Sequence, residues 1–221
     1  MDGTGVTVTR IARLRGRRRH ARMRRAARVM VLSGLALLAS VAWREWGTGL
    51  QTARAQRSLR VQLDHRFPTE PIPGHAVGLI WIPRIHVDLA FVQGVTPESL
   101  AQGPGHYPTT PMPGRSGNVA IAGHRTTHGA PFWSLDLIRR GDMITLQTHA
   151  GTFVYRVLWT RVVAQDAWWI TQATPRPSLT LSTCTPRFTS RERLVIRAVD
   201  ISELPGVRGG HVPKAAEPLL L

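Results

Sequence analysis

The chain of 221 residues predicts a mostly β, barrel-like domain preceded by an N-terminal transmembrane helix. Three observations carry that expectation. Short apolar or alternating runs recur between residues 77 and 201, separated by Gly and Pro. Among them only Thr96–Ala101 and Phe132–Arg139 have helical spacing, which leaves one or two short helices. Residues 1–28 hold ten arginines against the single acid Asp2, and an uncharged run from Val29 to Trp43 follows.

The elements follow in order. Residues 1–28 read as a basic cytoplasmic tail and 29–43 (VMVLSGLALLASVAW, closed by Arg44) as a transmembrane signal-anchor. That layout makes the chain a single-pass cell-membrane protein with a cytoplasmic N-terminus and an extracellular domain. Fifteen residues rise about 22 Å as a helix against a hydrocarbon core of roughly 30 Å. Snorkelling of Arg28 and Arg44, with Trp43 and Trp46 at the interface, makes up the difference. The alternative is a cleaved signal peptide, with small-x-small sites at Ser40-Val41-Ala42 and Ala53-Arg54-Ala55. A net charge of +16 invites nucleic-acid binding, but the apolar run beside the arginines argues against it. No nucleic acid is expected as a partner.

Residues 44–74 read as a stalk or linker. Gln51–Arg66 is polar and helix-tolerant with sparse apolar positions, and the three prolines of Phe67–Gly74 stop any helix. Regular structure is expected from near His75, with the domain proper spanning 75–202. Its strands are Val77–Ile82, Val87–Val92, Asn118–Gly123, a hairpin of Met143–Thr148 and Thr152–Val163 around Ala150-Gly151, Leu179–Thr183 and Leu194–Ile201. Gly103–Gly117, with four prolines and four glycines, reads as loop. Residues 203–221 read as a flexible C-terminal tail.

Cys184 is the single cysteine of the chain, so no intramolecular disulfide is available. In an oxidising compartment an unpaired thiol is more often functional than idle. Cys184 ends one strand and Arg193 begins the next; an antiparallel hairpin puts both at the same end of the sheet. His124 also ends a strand. Together the three supply a nucleophile whose ionisation a nearby cation favours, a proton shuttle, and an oxyanion donor. His, Cys and Arg in this order point to thiol acyl transfer. On spacing alone Arg191 competes closely with Arg193, and Arg187 and Arg197 are further candidates. His128, four residues after His124, lies in a Gly-bounded loop with no evident third ligand, so no metal and no cofactor are expected.

Thr180-Leu181-Ser182-Thr183-Cys184 resembles the TLxTC motif of sortases, and Ala122-Gly123-His124-Arg125 and Arg193 match that family's other catalytic positions. Gly103–Pro108, Gly117-Asn118 and AGHRTTHGAPF (Ala122–Phe132) are similar to the class E enzymes of actinobacteria, as is the close Cys-to-Arg spacing around Pro186-Arg187-Phe188. The resemblance covers about residues 77–200. It implies a closed eight-stranded β-barrel and a transpeptidase that cuts a C-terminal sorting signal between Thr and Gly. A thioacyl enzyme then passes the protein to a peptidoglycan amine. By position it makes Cys184 the nucleophile, His124 the general acid/base and Arg193 the oxyanion or substrate binder. It places Tyr107 where class E enzymes carry a tyrosine associated with LAxTG rather than LPxTG signals. Thr183 would line the groove, and His106 would touch substrate. The alternatives are another exported Cys-dependent wall peptidase or amidase, or a non-catalytic membrane-anchored β-barrel. The Ser-His-Gly-Cys context of L,D-transpeptidases is absent, and papain-like amidases reverse the Cys-before-His order.

Overall fold

The structure is a computed structural model that describes residues 5–42 and 48–202. The chain divides into two units, Met1–Arg44 and Glu45–Leu221. The first contains helix α1 (Gly5–Ala42). Among the described residues no helix is long and apolar enough to cross a membrane. The uncharged run is fifteen residues long and is bounded by Arg28 and Arg44. Trp43, Trp46 and the tail 203–221 lie outside the described residues.

The second unit is built on a closed barrel of eight strands: β1 (Ala76–Ile82), β2 (Val87–Gln93), β3 (Gly105–His106), β4 (Asn118–Ala122), β5 (Met143–Thr148), β6 (Gly151–Ala164), β7 (Ser178–Thr185) and β8 (Glu192–Asp200). The strand order is β1-β2-β3-β4-β7-β8-β6-β5. Most pairings are antiparallel, but β3 runs parallel to β2 and β4 runs parallel to β7. Alternation decides what each strand buries. Val119 and Ile121, Leu179 and Leu181, and Leu194, Ile196 and Ala198 point into one core with Ile80, Phe91, Phe132, Ile144 and Tyr155. The opposite face of β4, β7 and β8 therefore carries Asn118, Ala120 and Ala122, then Thr180, Ser182 and Cys184, then Arg193, Val195 and Arg197.

Three features differ from the sequence reading. Regular structure begins well before His75, with helix α2 (Thr48–His65). Its few apolar residues are enough because they are correctly spaced: Leu59 and Leu63, one turn apart, are buried against Ala76, Ala90 and Val92. The Gln56 amide completes the contact. Its Oε1 accepts from Ala90 N at 2.8 Å, and its Nε2 donates to Ala90 O at 2.9 Å and Gln102 O at 2.8 Å, closing a stretch of β2 that β3 is too short to reach. The second difference is β3, two residues inside the expected loop, with no alternation to reveal it. The third is Phe132–Arg139, which forms successive i→i+3 turns around Leu135–Leu137 rather than an α-helix. Phe132, Leu135 and Ile138 recur every third residue and are buried, the period of a 3-10 arrangement. The predicted turn at 96–101 is helix α3 (Pro97–Gln102), capped by the Thr96 hydroxyl accepting from Ser99 N at 3.3 Å.

Candidate active site

β7 and β8 pair so that Cys184 sits directly opposite Arg193. Both belong to the face turned away from the core, and Arg193 Nη1 donates to Cys184 Sγ at 3.2 Å. The same nitrogen reaches Ser190 O and Glu192 O at 3.4 Å, which holds the fork toward the thiol. Arg191, the competitor on spacing, is exposed and lies ahead of the strand.

His124 reaches the same end through the parallel β4–β7 pair. Ala122 is in register with Ser182, and Gly123 N donates to Ser182 O at 3.1 Å, so continuing the register sets His124 level with Cys184. Thr183 locks this alignment by donating its hydroxyl to Gly123 O at 2.7 Å. Gly123 is required for packing, since a Cβ there would lie 2.6 Å from the Phe132 ring. The chain beyond His124 turns back, with Phe132 N donating to His124 O at 3.1 Å. His128 (φ 52°), Gly129 (φ 71°) and Ala130 (φ 44°) are all left-handed within this turn. The His128 ring stacks on that of His124 with centroids 4.6 Å apart and planes at 24°. His128 N donates to the Thr48 hydroxyl at 3.2 Å, so the start of α2 supports the stack. Burial, and secondarily the charge of a protonated His128, push the His124 imidazole below its ordinary pKa. The ring is therefore neutral near pH 7 and able to accept the thiol proton.

A second tier of charges ties the loops together. Arg125, 6% exposed, donates from Nη1 to the Thr185 hydroxyl at 3.0 Å and to Cys184 O at 3.5 Å. Its Nη2 pairs with Asp136 at 3.1 Å. Asp136 also accepts from Arg187 at 3.1 and 3.2 Å, and Arg187 lies over the Trp133 ring at 4.6 Å. One carboxylate thus bridges the segment after the histidine and the segment after the cysteine. Sequence reasoning missed this role for Arg125; its position beside His124 within the AGHR run was the available signal. Asp136 and Asn118, the nearest acid and amide to His124 in sequence, are both engaged elsewhere. Asp136 is occupied by the two arginines, and Asn118 accepts from Thr180 Oγ1 at 2.7 Å and donates to Ile170 O at 2.8 Å.

Two expected groove residues are placed differently. Thr183 is 3% exposed and faces inward, its hydroxyl committed to Gly123. His106 is 1% exposed; Nδ1 lies 2.9 Å from Gln93 Oε1, and Nε2 lies 3.1 Å from Pro111 O and from Thr110 Oγ1. Alternation explains both, since each sits at an inward position of its strand, and His106 serves as a structural tie. Tyr107, the next residue along, is half-buried. Among the described residues no three His, Cys, Asp or Glu side chains gather as metal ligands.

Comparisons with known proteins point to one family. Residues 80–201 match the model of the Sortase domain. The chain is 30% identical over 203 residues to Sortase SrtE1 of Streptomyces coelicolor, a stretch that is 82% of this chain and 58% of the relative. Its fold is similar to the crystal structure of Sortase E1 from S. coelicolor with a tripeptide in the active site (TM-score 0.55, 29% identity, 60% of this chain and 91% of that one). It is also similar to a Clostridium perfringens Sortase D5 transpeptidase (TM-score 0.56, 26% identity, 71% and 98%).

Proposed function

The chain belongs to the sortase family, and from that premise we propose that it is a cysteine transpeptidase acting on secreted proteins with an LAxTG- or LPxTG-like C-terminal signal. Cys184 attacks the Thr carbonyl of the Thr–Gly bond while His124 takes the thiol proton. The tetrahedral oxyanion forms beside the Arg193 fork. His124 returns its proton to the leaving glycine amine, and the C–N bond breaks to leave a thioester on Cys184. A peptidoglycan amine attacks that thioester, loses a proton to His124, and expels the thiolate. Tyr107, half-buried and donating its N–H to Ala120 O at 2.9 Å, is the residue we assign to reading the signal.

The observation that carries this reading is the Arg193–Cys184 hydrogen bond across a register pair, with His124 two residues beyond the end of the adjoining strand β4. The test uses the full-length protein and a fluorogenic LAxTG peptide with an added amine. Cleavage at Thr–Gly, lost in Cys184→Ala and diverted to amide product by the amine, is expected. An intact protein that leaves the peptide uncut, with a thiol slow toward an alkylating reagent, refutes the enzyme reading.

We further propose membrane attachment through residues 29–43, with the catalytic unit outside the cell. Support comes from the arginine-rich flank and the uncharged run that follows it. Retention in the membrane fraction after an alkaline wash is the expected outcome; release of a shortened chain would favour cleavage at one of the small-x-small sites.

A further inference from the structure

Below the nucleophile, the outward face of β8 continues from Arg193 through Val195 to Arg197. On β6, Trp159 is in register with Arg197 and Arg161 with Val195, so these side chains share that face. The Arg161 guanidinium lies 4.9 Å from the Trp159 ring centroid and that of Arg197 lies 5.7 Å from it. The short turn Trp168–Thr171 lies against this face: the Trp169 ring centroid is 6.3 Å from that of Trp159, and Asn118 holds the turn by donating to Ile170 O at 2.8 Å.

Arg197 is the unusual member. It is 7% exposed, and its Nε and Nη1 have no hydrogen-bond partner. Among the described residues none of Arg161, Arg193 and Arg197 forms a salt bridge, although Arg60, Arg84, Arg125 and Arg187 each do. A desolvated guanidinium with unused donors is unfavourable, and a charge-assisted hydrogen bond to an anion relieves it better than a neutral group does. Burial lowers the Arg197 pKa, and no carboxylate offsets that shift.

We propose that Arg197, with Arg161 and Trp159 beside it, recognises a carboxylate side chain of the peptide substrate upstream of the scissile bond. The inference rests on the transpeptidase reading. With the N-terminal side of an extended peptide laid along β8 from Cys184 toward Arg197, distance along the strand gives the position. Cys184 is level with Arg193, and Arg197 is four residues further along β8. At 3.3 Å per residue that is about 13 Å, which an extended peptide covers in about four residues. The preferred substrate therefore carries Asp or Glu about four residues before the threonine at the scissile bond. The neighbouring Arg161, over the same Trp159 ring, makes that position hostile to lysine.

The experiment compares three peptides of one signal with Glu, Gln or Lys at that position. The intact protein should rank them Glu, Gln, Lys in kcat/KM, spanning at least about tenfold, equivalent to about 1.4 kcal/mol. Arg197→Gln should compress the Glu-to-Lys ratio below about threefold, and Arg197→Lys should retain part of it. Binding of the same peptides to Cys184→Ala, read by fluorescence anisotropy in the same order, separates the two readings. A Glu preference in binding without cleavage by the intact protein removes the transpeptidase and keeps the carboxylate site. Equal affinity for all three peptides overturns the carboxylate site, whatever the cleavage result. So does an Arg197→Gln loss spread evenly over the three.

Discussion

Arg193 and Cys184 face each other because two strands place them in one register pair, so their substitutions should differ in kind. In the proposed mechanism Cys184 forms the thioester and His124 moves the protons, so Cys184→Ala and His124→Ala should each abolish turnover. Arg193→Lys keeps the charge but loses the fork, and kcat should fall on the order of a hundredfold with thermal stability little changed. Near-normal turnover in the lysine variant would show that another arginine does this work. His128 acts through His124. Burial is the main cause of the lowered His124 pKa and the stacked ring is the second. Replacing His128 by Gln removes the second cause, so the titration should move up toward 6.5 without reaching it. NMR titration of the His124 ring and the acidic limb of kcat/KM should shift together; an unmoved titration would mean the stacked ring contributes no charge. His106 sets a stability limit instead. Its pKa is lowered from 6.5, chiefly by burial, so folding favours the neutral ring. Its contribution is fully present above about pH 6.5 and declines as pH falls toward the folded value. His106→Gln should flatten that acid dependence of the melting temperature while lowering the melting temperature itself, because the ring's ties to Gln93 and Thr110 are lost.

The strands that carry the site are joined by side chains from the loops and the helix around them. Asp136 neutralises Arg125 and Arg187 at once, so Asp136→Ala should destabilise by about 1–3 kcal/mol, discounted for its partial exposure. Turnover should fall as well, since the segments after His124 and Cys184 lose their common anchor. A denaturant midpoint and kcat that both stay put would show the bridge to be idle. Helix α2 predicts a separate result. Leu59→Ala and Leu63→Ala in the full chain should each cost about 2–4 kcal/mol, a loss that a freely hanging stalk would not register in a thermal melt. The strands of the barrel were legible in the sequence because their apolar residues alternate and Gly or Pro punctuates them. Helix α2 was not, because only two leucines make its apolar contact and the rest comes from polar side chains such as Thr52, Gln56 and Arg60, which nothing local distinguishes from a solvated helix. β3 escaped notice for a related reason, as two residues are too few to show a period.

At the scale of the whole molecule, the meeting of Cys184 and Arg193 at one end of the barrel was legible because each stands at a strand end beside a recognisable run. The roles of Arg125, Asp136, His128 and Arg197 depend on what the barrel brings near them. No residue within a few positions of Arg197 hints that its guanidinium has no carboxylate. Thr183 and His106 were misjudged for the opposite reason: proximity in sequence to the site says nothing about which face of a strand they occupy. The parallel β4–β7 pair has a consequence for how activity is acquired during folding. The hairpin of Cys184 and Arg193 closes across nine residues, whereas the contact that aligns His124 spans 60. Closing the longer loop costs more chain entropy, and non-local pairings of this kind come late in a folding reaction. A refolding chain therefore acquires an Arg-paired thiol before it acquires a proton acceptor. Alkylation of Cys184 should report the hairpin early in refolding, and peptide cleavage should return only as β4 docks on β7.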